Sequence, residues 1–314
     1  MDTANVTIQS PLEGLKLDCI MTKPQSSGLK GIVQIVHGMA EHKERYLPLM
    51  NFLSLEGYVC IISDTRGHGK SVKFPSDLGY FYGEGADGII GDVLAVNKYI
   101  CWAFPDLPVF LLGHSMGSLI ARWYLHEHAD TIKGLFLVGT PGYNPAAKAG
   151  KALCNFLTAT RGGKEKGGRK VSSLVHKMAI GQFGKAFPGE AENSWICSDP
   201  EVVKEYNADP LCGFPLTLDG YNALMELMIK DNDPKLWKLT PVDMPVIFLS
   251  GNLDPCMGEE KSILEAASLL TKGGFPNTEV HIYPGMRHEI LNEKGKEKVF
   301  SDILGYLGKW IDAE

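Results

Sequence analysis

The chain has 314 residues, which is enough for one large mixed domain with a sizeable buried core. Its 44% hydrophobic and 22% charged residues are the composition of an ordinary globular protein. The formal net charge of −6 argues against nucleic acid as a main partner. Seven cysteines without Cys-x-x-Cys spacing predict free thiols in a reducing compartment.

The N-terminal stretch, residues 1–24, alternates polar and apolar side chains and has no charged start followed by a long apolar run. It predicts a β-hairpin rather than a signal peptide. No apolar stretch in the sequence reaches the length that crosses a membrane. We therefore expect a cytoplasmic protein.

Short runs rich in β-branched residues or leucine recur along the chain and are typical of buried parallel strands. They lie at residues 31–37, 58–63, 108–113, 134–139, 245–250 and 278–283. Helical patterns lie between or after them, and the last one occupies residues 299–310 with Asn292 as its expected N-cap. This alternation predicts a mostly parallel sheet with helices on both faces.

Residues 143–239 break the alternation, because they contain helical patterns and no convincing core strand. Within them RGGKEKGGRK, residues 161–170, is glycine-rich and charged and predicts a mobile loop between two helices. We interpret 143–239 as a helical lid inserted over the edge of the sheet. Residues 1–142 and 240–314 are then the two parts of the core.

The stretch VFLLGHSMGSLIARWY, residues 109–124, passes from a predicted strand to a predicted helix through Gly-x-Ser-x-Gly. A motif of this kind can arise by chance, but its position at a strand-to-helix turn gives a physical reason for a reactive serine. Such a turn holds Ser115 in a strained conformation, and flanking glycines remove the side chains that would clash. Free N–H groups at the helix start face a developing oxyanion. Ser115 is therefore predicted to be a nucleophile.

A nucleophilic serine needs a base, and nine histidines compete for the role. His288 lies in a turn-rich loop after the last predicted strand, at the edge where sites form in open α/β sheets. Asp254 follows the preceding strand at the same edge and would orient the imidazole and stabilise its cation. Asp243 lies at the opposite edge. The alternative for Asp254 is a turn-forming aspartate before proline.

Other motifs fail as binding sites. DTRGHGKS, residues 64–71, has Asp64 where a phosphate-binding loop needs glycine. His126 and His128 lack the i, i+4 spacing of a helical zinc site, and the cysteines offer no ligand set. The sequence therefore predicts no metal.

Five stretches together resemble the monoacylglycerol lipase and lysophospholipase branch of the α/β-hydrolase superfamily, which includes serine aminopeptidase-like sequences. They are HGMAEHKERY (37–46), DTRGHGKS (64–71), GHSMGS (113–118), SGNLDPCMG (250–258) and GMRHEI (285–290). The similarity spans almost the whole chain and is weakest in 143–239. It implies the α/β-hydrolase fold and a catalytic triad of Ser115, Asp254 and His288.

The resemblance also implies an oxyanion hole made by the backbone amides of Met39 and Met116. Two residues depart from the family pattern. Ala40 stands where many relatives have glycine, and Ser118 replaces the second glycine after Met116. Both changes are expected to narrow the site near the acyl carbonyl without removing a catalytic group.

The activity that the resemblance implies is hydrolysis of long-chain acyl monoesters, with monoacylglycerol first, by a serine esterase or lipase without metal or organic cofactor. Lysophospholipase and acyl thioesterase activities stay open. A serine aminopeptidase is less favoured, since it would need acidic side chains near the site to hold the substrate ammonium. From another class, a non-catalytic binding module could keep the same fold.

The predicted lid carries an unusual charge pattern. Between residues 146 and 185 there are nine lysines or arginines and one acid, Glu165. Because basic residues are attracted to anionic lipid, we expect the lid to touch an anionic membrane surface transiently. The alternative is that its apolar faces pack on the sheet domain and its charges are solvated.

Overall fold

The computed structural model describes residues 2–25 and 28–312. One sheet contains the eight strands β1 (Asp2–Gln9), β2 (Lys16–Lys23), β3 (Gly31–Val36), β4 (Tyr58–Ser63), β5 (Val109–His114), β6 (Gly134–Val138), β7 (Val246–Gly251) and β8 (Thr278–Tyr283). Their order is β1-β2-β4-β3-β5-β6-β7-β8. β1 and β2 form the predicted hairpin and β2 pairs antiparallel with β4, whereas all pairs from β4 to β8 are parallel. The six predicted strands are confirmed to within about one residue at each end.

The α-helices are α1 (Leu47–Leu55), α2 (Gly85–Ala103), α3 (Met116–His128), α4 (Ala147–Thr160), α5 (Gly163–Lys166), α6 (Ser173–Ala179), α7 (Pro200–Ala208), α8 (Leu218–Asp231), α9 (Glu260–Gly273) and α10 (Lys296–Asp312). Apolar residues of α1 and α10 form one core cluster with one face of the sheet. Those of α2, α3 and α9 form a second cluster with the other face. The prediction of helices on both faces is therefore confirmed.

The C-terminal helix begins later than predicted. Asn292 is not its N-cap, because α10 starts at Lys296. The side-chain amide of Asn292 instead donates to Glu289 at 3.0 Å. The carboxylate of Glu293 accepts from the backbone N–H of Ser198 and of Arg287, and these long-range contacts hold the preceding turn out of the helix.

Residues 143–239 connect β6 to β7 and contain α4 to α8. The segment expected to be a mobile loop, 161–170, is folded instead and includes α5. Its Gly168 carbonyl accepts from the N–H of Asp219 at 3.1 Å. Arg169 forms an ion pair with Asp77 and lies 4.2 Å from the centre of the Tyr80 ring. Glycines here permit close packing, because a Cβ on Gly167 would lie 2.1 Å from a backbone carbonyl oxygen of α4.

A buried polar contact joins α3 to the end of α8. Arg122 donates from Nη2 to the main-chain carbonyl of Asp231 at 2.6 Å, and both side chains are fully buried. Burial raises the pKa of the Asp231 carboxyl to about 8, although the nearby Arg122 charge acts in the opposite direction. Separating the two elements would break the hydrogen bond from Arg122 Nη2 to the Asp231 carbonyl, which costs about 1–3 kcal/mol where a buried group is left without a partner. α8 is thereby fixed to the helix that follows Ser115.

Among the helices of residues 2–25 and 28–312, none combines the length and the apolar character that are needed to span a lipid bilayer.

Two helical glycines should respond to alanine in opposite ways. Gly305 of α10 is exposed, and an added Cβ would meet no atom within 4 Å, so Gly305→Ala should stabilise the protein by about 1 kcal/mol through helix propensity. A Cβ on Gly117 of α3 would lie 2.1 Å from the carbonyl oxygen of Val36. Gly117→Ala should therefore destabilise by about 1–3 kcal/mol or more. Urea unfolding of both variants measures the difference, and equal effects would contradict this packing.

Candidate active site

Ser115 occupies the turn between β5 and α3 in a strained backbone conformation, with φ 53° and ψ −118°. The glycines on either side allow this turn, because a Cβ on Gly113 would lie 2.2 Å from the carbonyl oxygen of Gly117. The N–H of Ser115 donates to the carbonyl of Val138 at 2.9 Å. Ser118, one of the two departures from the family pattern, donates its hydroxyl to the carbonyl of Ser115 at 2.6 Å. These contacts hold the serine at the carboxyl edge of the sheet.

The structure brings the three predicted side chains together as a chain of two hydrogen bonds. His288 Nε2 lies 2.8 Å from Ser115 Oγ, and His288 Nδ1 lies 2.9 Å from Asp254 Oδ2. A carboxylate only accepts, so Nδ1 carries a proton and Nε2 is left to accept from the serine hydroxyl. Asp254 Oδ1 accepts from the N–H of Cys256 at 2.8 Å, which fixes the carboxylate. The geometry fits removal of the Ser115 proton by the imidazole.

Burial and charge act against each other at His288. The ring is 3% exposed, and burial alone would lower its pKa. The adjacent Asp254 carboxylate outweighs this effect, so the pKa of His288 is raised above its ordinary value of 6.5. Asp254 thus favours the imidazolium that forms when the ring takes a proton.

Met39 and Met116, whose amides are predicted to form the oxyanion hole, line one cavity together with Ser115. Met39 belongs to the turn that follows β3, in which Ala40 has a left-handed φ of 52°. The N–H of Gly38 donates to Glu41 Oε1 at 2.6 Å, and that of Ala40 donates to His68 Nε2 at 3.1 Å. For the described part of the chain, no protein acceptor is found for the Met39 or Met116 amide. Both residues border a cavity that also contains Ser115.

A buried charge network lies next to the site and was not predicted from the sequence. Glu41 accepts from Tyr46 and Arg45 and lies 3.1 Å from His114 Nδ1. Burial by itself would raise the pKa of the Glu41 carboxyl, but His114 and Arg45 bring it well below the ordinary value. Arg45 also makes a two-pronged contact with Glu289, at 2.7 and 2.5 Å. The network therefore ties the turn after β3 to the loop that carries His288.

Two cavities meet at Ser115. One, of about 320 Å³, has polar and apolar wall surface in similar amounts and is called here the polar cavity because its lining includes Glu41, His114, Glu190, Glu192, Asn193 and Glu289. The other, of about 290 Å³, has mainly apolar walls that include Ile180, Phe183, Leu224, Met228 and Met257. Trp195 borders both cavities, and its ring centre lies 5.1 Å from that of His288. Sequence reasoning missed Trp195, because nothing near it in the chain indicates that contact.

Two groups of side chains in the described residues have donor atoms close enough to hold a metal ion. One is Asp254, Cys256 and His288, in which the carboxylate and the imidazole already bind each other. The other is His42, Asp209 and Cys212, which lies beside a separate cavity.

The family described as serine aminopeptidase, S33, matches residues 27–295. The chain belongs to this family. The monoacylglycerol lipase of Mycolicibacterium smegmatis is 26% identical to it over 283 residues, which are 88% of each chain. A thermostable carboxyl esterase from Bacillus coagulans, solved in complex with glycerol, superimposes with a TM-score of 0.90 at 27% identity over 99% of both chains.

A soluble variant of the Saccharomyces cerevisiae monoglyceride lipase has a TM-score of 0.75 at 21% identity, over 99% of this chain and 95% of that one. These structures have the α/β-hydrolase fold, and so does this chain. The expected fold class and the family resemblance are thereby confirmed. This S33-family protein is a hydrolase that acts on esters.

The titration of His288 checks the electrostatics of the site directly. In this S33-family hydrolase we expect a His288 pKa above 6.5, measured by NMR of the imidazole nitrogens. In Asp254→Asn the attraction to the carboxylate is lost while burial remains, so the pKa should fall. A pKa that does not change in this variant would show that Asp254 does not govern the ring.

Proposed function

We propose that this chain is a serine esterase that cleaves monoacylglycerol to a fatty acid and glycerol, with Ser115, His288 and Asp254 as its triad. The in-line arrangement of the three side chains, at 2.8 and 2.9 Å, is the observation that carries the proposal. Its position between a polar and an apolar cavity supports the choice of substrate.

The reaction proceeds in two halves. Ser115 Oγ attacks the ester carbonyl while His288 Nε2 takes the hydroxyl proton, and the Met39 and Met116 amides donate to the oxyanion. His288 then gives the proton to the leaving glycerol oxygen as the ester C–O bond breaks. In the second half, water gives a proton to His288 and attacks the acyl-enzyme. His288 then returns the proton to Ser115 Oγ as the bond between Oγ and the acyl carbon breaks and the fatty acid leaves.

The two cavities suit the two parts of such a substrate. The apolar cavity accepts an acyl chain through hydrophobic contact, with Leu224 and Met228 on its wall. In the polar cavity Glu41 and Glu289 already pair with Arg45, and Glu190 pairs with Arg287. Three of the four carboxylates on this wall are thus paired with arginine, and this pairing weakens the attraction that the wall would exert on the ammonium of an aminopeptidase substrate. The glycerol in the Bacillus coagulans esterase agrees with this choice of substrate.

Related activities are separated by a substrate panel. Monoacylglycerols, lysophosphatidylcholine, acyl-coenzyme A and an aminoacyl naphthylamide are compared by kcat/KM, and the monoacylglycerols should be hydrolysed fastest. Labelling of the active serine with a fluorophosphonate distinguishes any of these hydrolases from a non-catalytic binding module, which would not react.

We also propose that 143–239 form a lid on a core made of 1–142 and 240–314. Ile180 and Trp195 of this segment border both cavities that contain Ser115, which supports a lid. The same segment has exposed apolar side chains at Phe156, Leu174 and Met178, which are 64%, 58% and 53% exposed. Exposed lysines lie in the same stretch of chain. An apolar surface with basic neighbours favours transient contact with an anionic membrane.

Substitution of the triad tests the chemistry. Ser115→Ala and His288→Ala should each lower kcat by up to about 10⁶-fold, and the double variant should be little worse, because the two groups act as a unit. Asp254→Asn should cost about 10⁴-fold through loss of the productive imidazole tautomer. Hydrolysis of p-nitrophenyl esters measures these rates. A near-normal rate for Asp254→Asn would show that another group serves as the acid.

Sedimentation with vesicles tests the membrane contact. The variant Arg161→Ser, Lys164→Ser, Lys166→Ser, Lys170→Ser removes four exposed charges of the lid. It should bind phosphatidylserine-containing vesicles more weakly than the wild type at low salt, since each basic residue near the surface contributes about 1 kcal/mol. Arg169 is left unchanged because it pairs with Asp77.

The matched control removes four exposed lysines outside the basic stretch, with Lys235, Lys238, Lys272 and Lys309 all replaced by serine. This variant should keep most vesicle binding. Equal binding by the two variants, or none by the wild type at low salt, would leave the segment as a cover over the pocket without a role at membranes.

A further inference from the structure

We propose that His42, Asp209 and Cys212, here called the His42 cluster, form a binding site for Zn²⁺. Their donor atoms, an imidazole nitrogen, a carboxylate oxygen and a thiol sulfur, all lie within 4.8 Å of one another. Zinc takes these three kinds of ligand. The thiol selects against Mg²⁺ and Ca²⁺, which prefer oxygen.

The surroundings of His42 are those of a metal-binding histidine. Its Nδ1 lies 2.7 Å from Glu44 Oε2, whereas Nε2 points at Asp209 Oδ2 at 2.9 Å. A carboxylate that holds one ring nitrogen orients the other toward a metal and raises its basicity. His42 and Cys212 are 7% and 9% exposed, so the donors are held by packing. Zn²⁺ would take the place of the proton that the ring now shares with Asp209.

An adjacent cavity supplies access and a fourth ligand. It has a volume of about 310 Å³ and is bordered by all three residues of the His42 cluster. A water molecule from this cavity completes a tetrahedron around the ion. Arg45 also borders the cavity, but its charge is balanced by Glu41 and Glu289. The other charged side chains on the wall are three carboxylates, Glu44, Glu205 and Asp209, against one lysine, Lys296, so the cavity favours a cation.

The position of the His42 cluster links two parts of the chain. His42 follows the turn after β3, whereas Asp209 and Cys212 lie in the loop after α7. The loop and α7 already contact the turn, because the Gly213 N–H of the loop and the Tyr206 hydroxyl of α7 both donate to the carbonyl of Ala40, at 2.9 and 3.1 Å. A bound ion would add a third connection between them. This inference is independent of the substrate proposed above.

Metal binding to the full-length, untagged protein tests the site. After removal of metal with a chelator, equilibrium dialysis should show about one tight Zn²⁺ per chain, and Zn²⁺ should raise Tm because it binds the folded state. Cys212→Ser and His42→Gln should lose this binding, and Glu44→Gln should weaken it by about tenfold or more. With Co²⁺ alone, the wild type should show thiolate-to-cobalt charge-transfer absorption, which Cys212→Ser should lack.

Two further cysteine variants serve as matched controls. Cys101→Ser changes a thiol on α2, and Cys256→Ser changes the thiol of the other three-donor group. Both should bind Zn²⁺ as the wild type does. Loss of binding in Cys256→Ser with retention in Cys212→Ser would overturn the assignment. So would a wild-type Co²⁺ complex without thiolate absorption, which would mean that His42 is only an ion-pair partner of Glu44 and Asp209.

Discussion

The close approach of α3 to β3 governs the geometry of the candidate site. Gly117 leaves no room for a side chain against the main chain of Val36, so the start of α3 lies directly beside the end of β3. The turn after β3 carries Met39, and the start of α3 carries Met116, so this contact brings both residues to the cavity that contains Ser115. Parallel pairing then brings the ends of β7 and β8, which precede Asp254 and His288, to the same edge.

Charges that are buried at this edge are paired locally. Glu41 and Glu289 share Arg45, and Asp254 faces His288. Such pairing is needed because an unpaired buried charge costs several kcal/mol. The Glu41 network also acts on the site electrostatically, because Glu289 and Glu41 add to the effect of Asp254 in raising the pKa of His288.

Local patterns explain why much of this arrangement was predictable from the sequence. Ser115 lies in a motif whose strain is local, and Asp254 and His288 each follow an apolar strand by only a few residues. The pairing of Arg45 with Glu289 was not predictable, because the two residues are 244 positions apart and only the folded sheet brings their loops together. The contact between Trp195 and His288 was not predictable for the same reason, because the two residues are distant in the chain.

The two predictions that were wrong, for residues 161–170 and for Asn292, failed for the same reason. Residues 161–170 have the composition of a loop, yet they fold because Arg169 finds Asp77 and Tyr80 on the core. Asn292 is a good capping residue by type, but Glu293 is held by Ser198 and Arg287, so the helix starts after it. In both cases tertiary contacts outweigh local preference, and a single sequence contains no signal for such contacts.

The contact between Arg122 and Asp231 has a consequence for acyl-chain selectivity. It fixes α8 to α3, and α8 supplies Leu224 and Met228 to the wall of the apolar cavity. That part of the wall is therefore tied to α3, whereas Ile180 and Phe183, which also line the cavity, come from the segment after α6. If the apolar cavity holds the acyl chain as proposed, substitutions on α8 should change the length or branching of the acyl chain that is preferred.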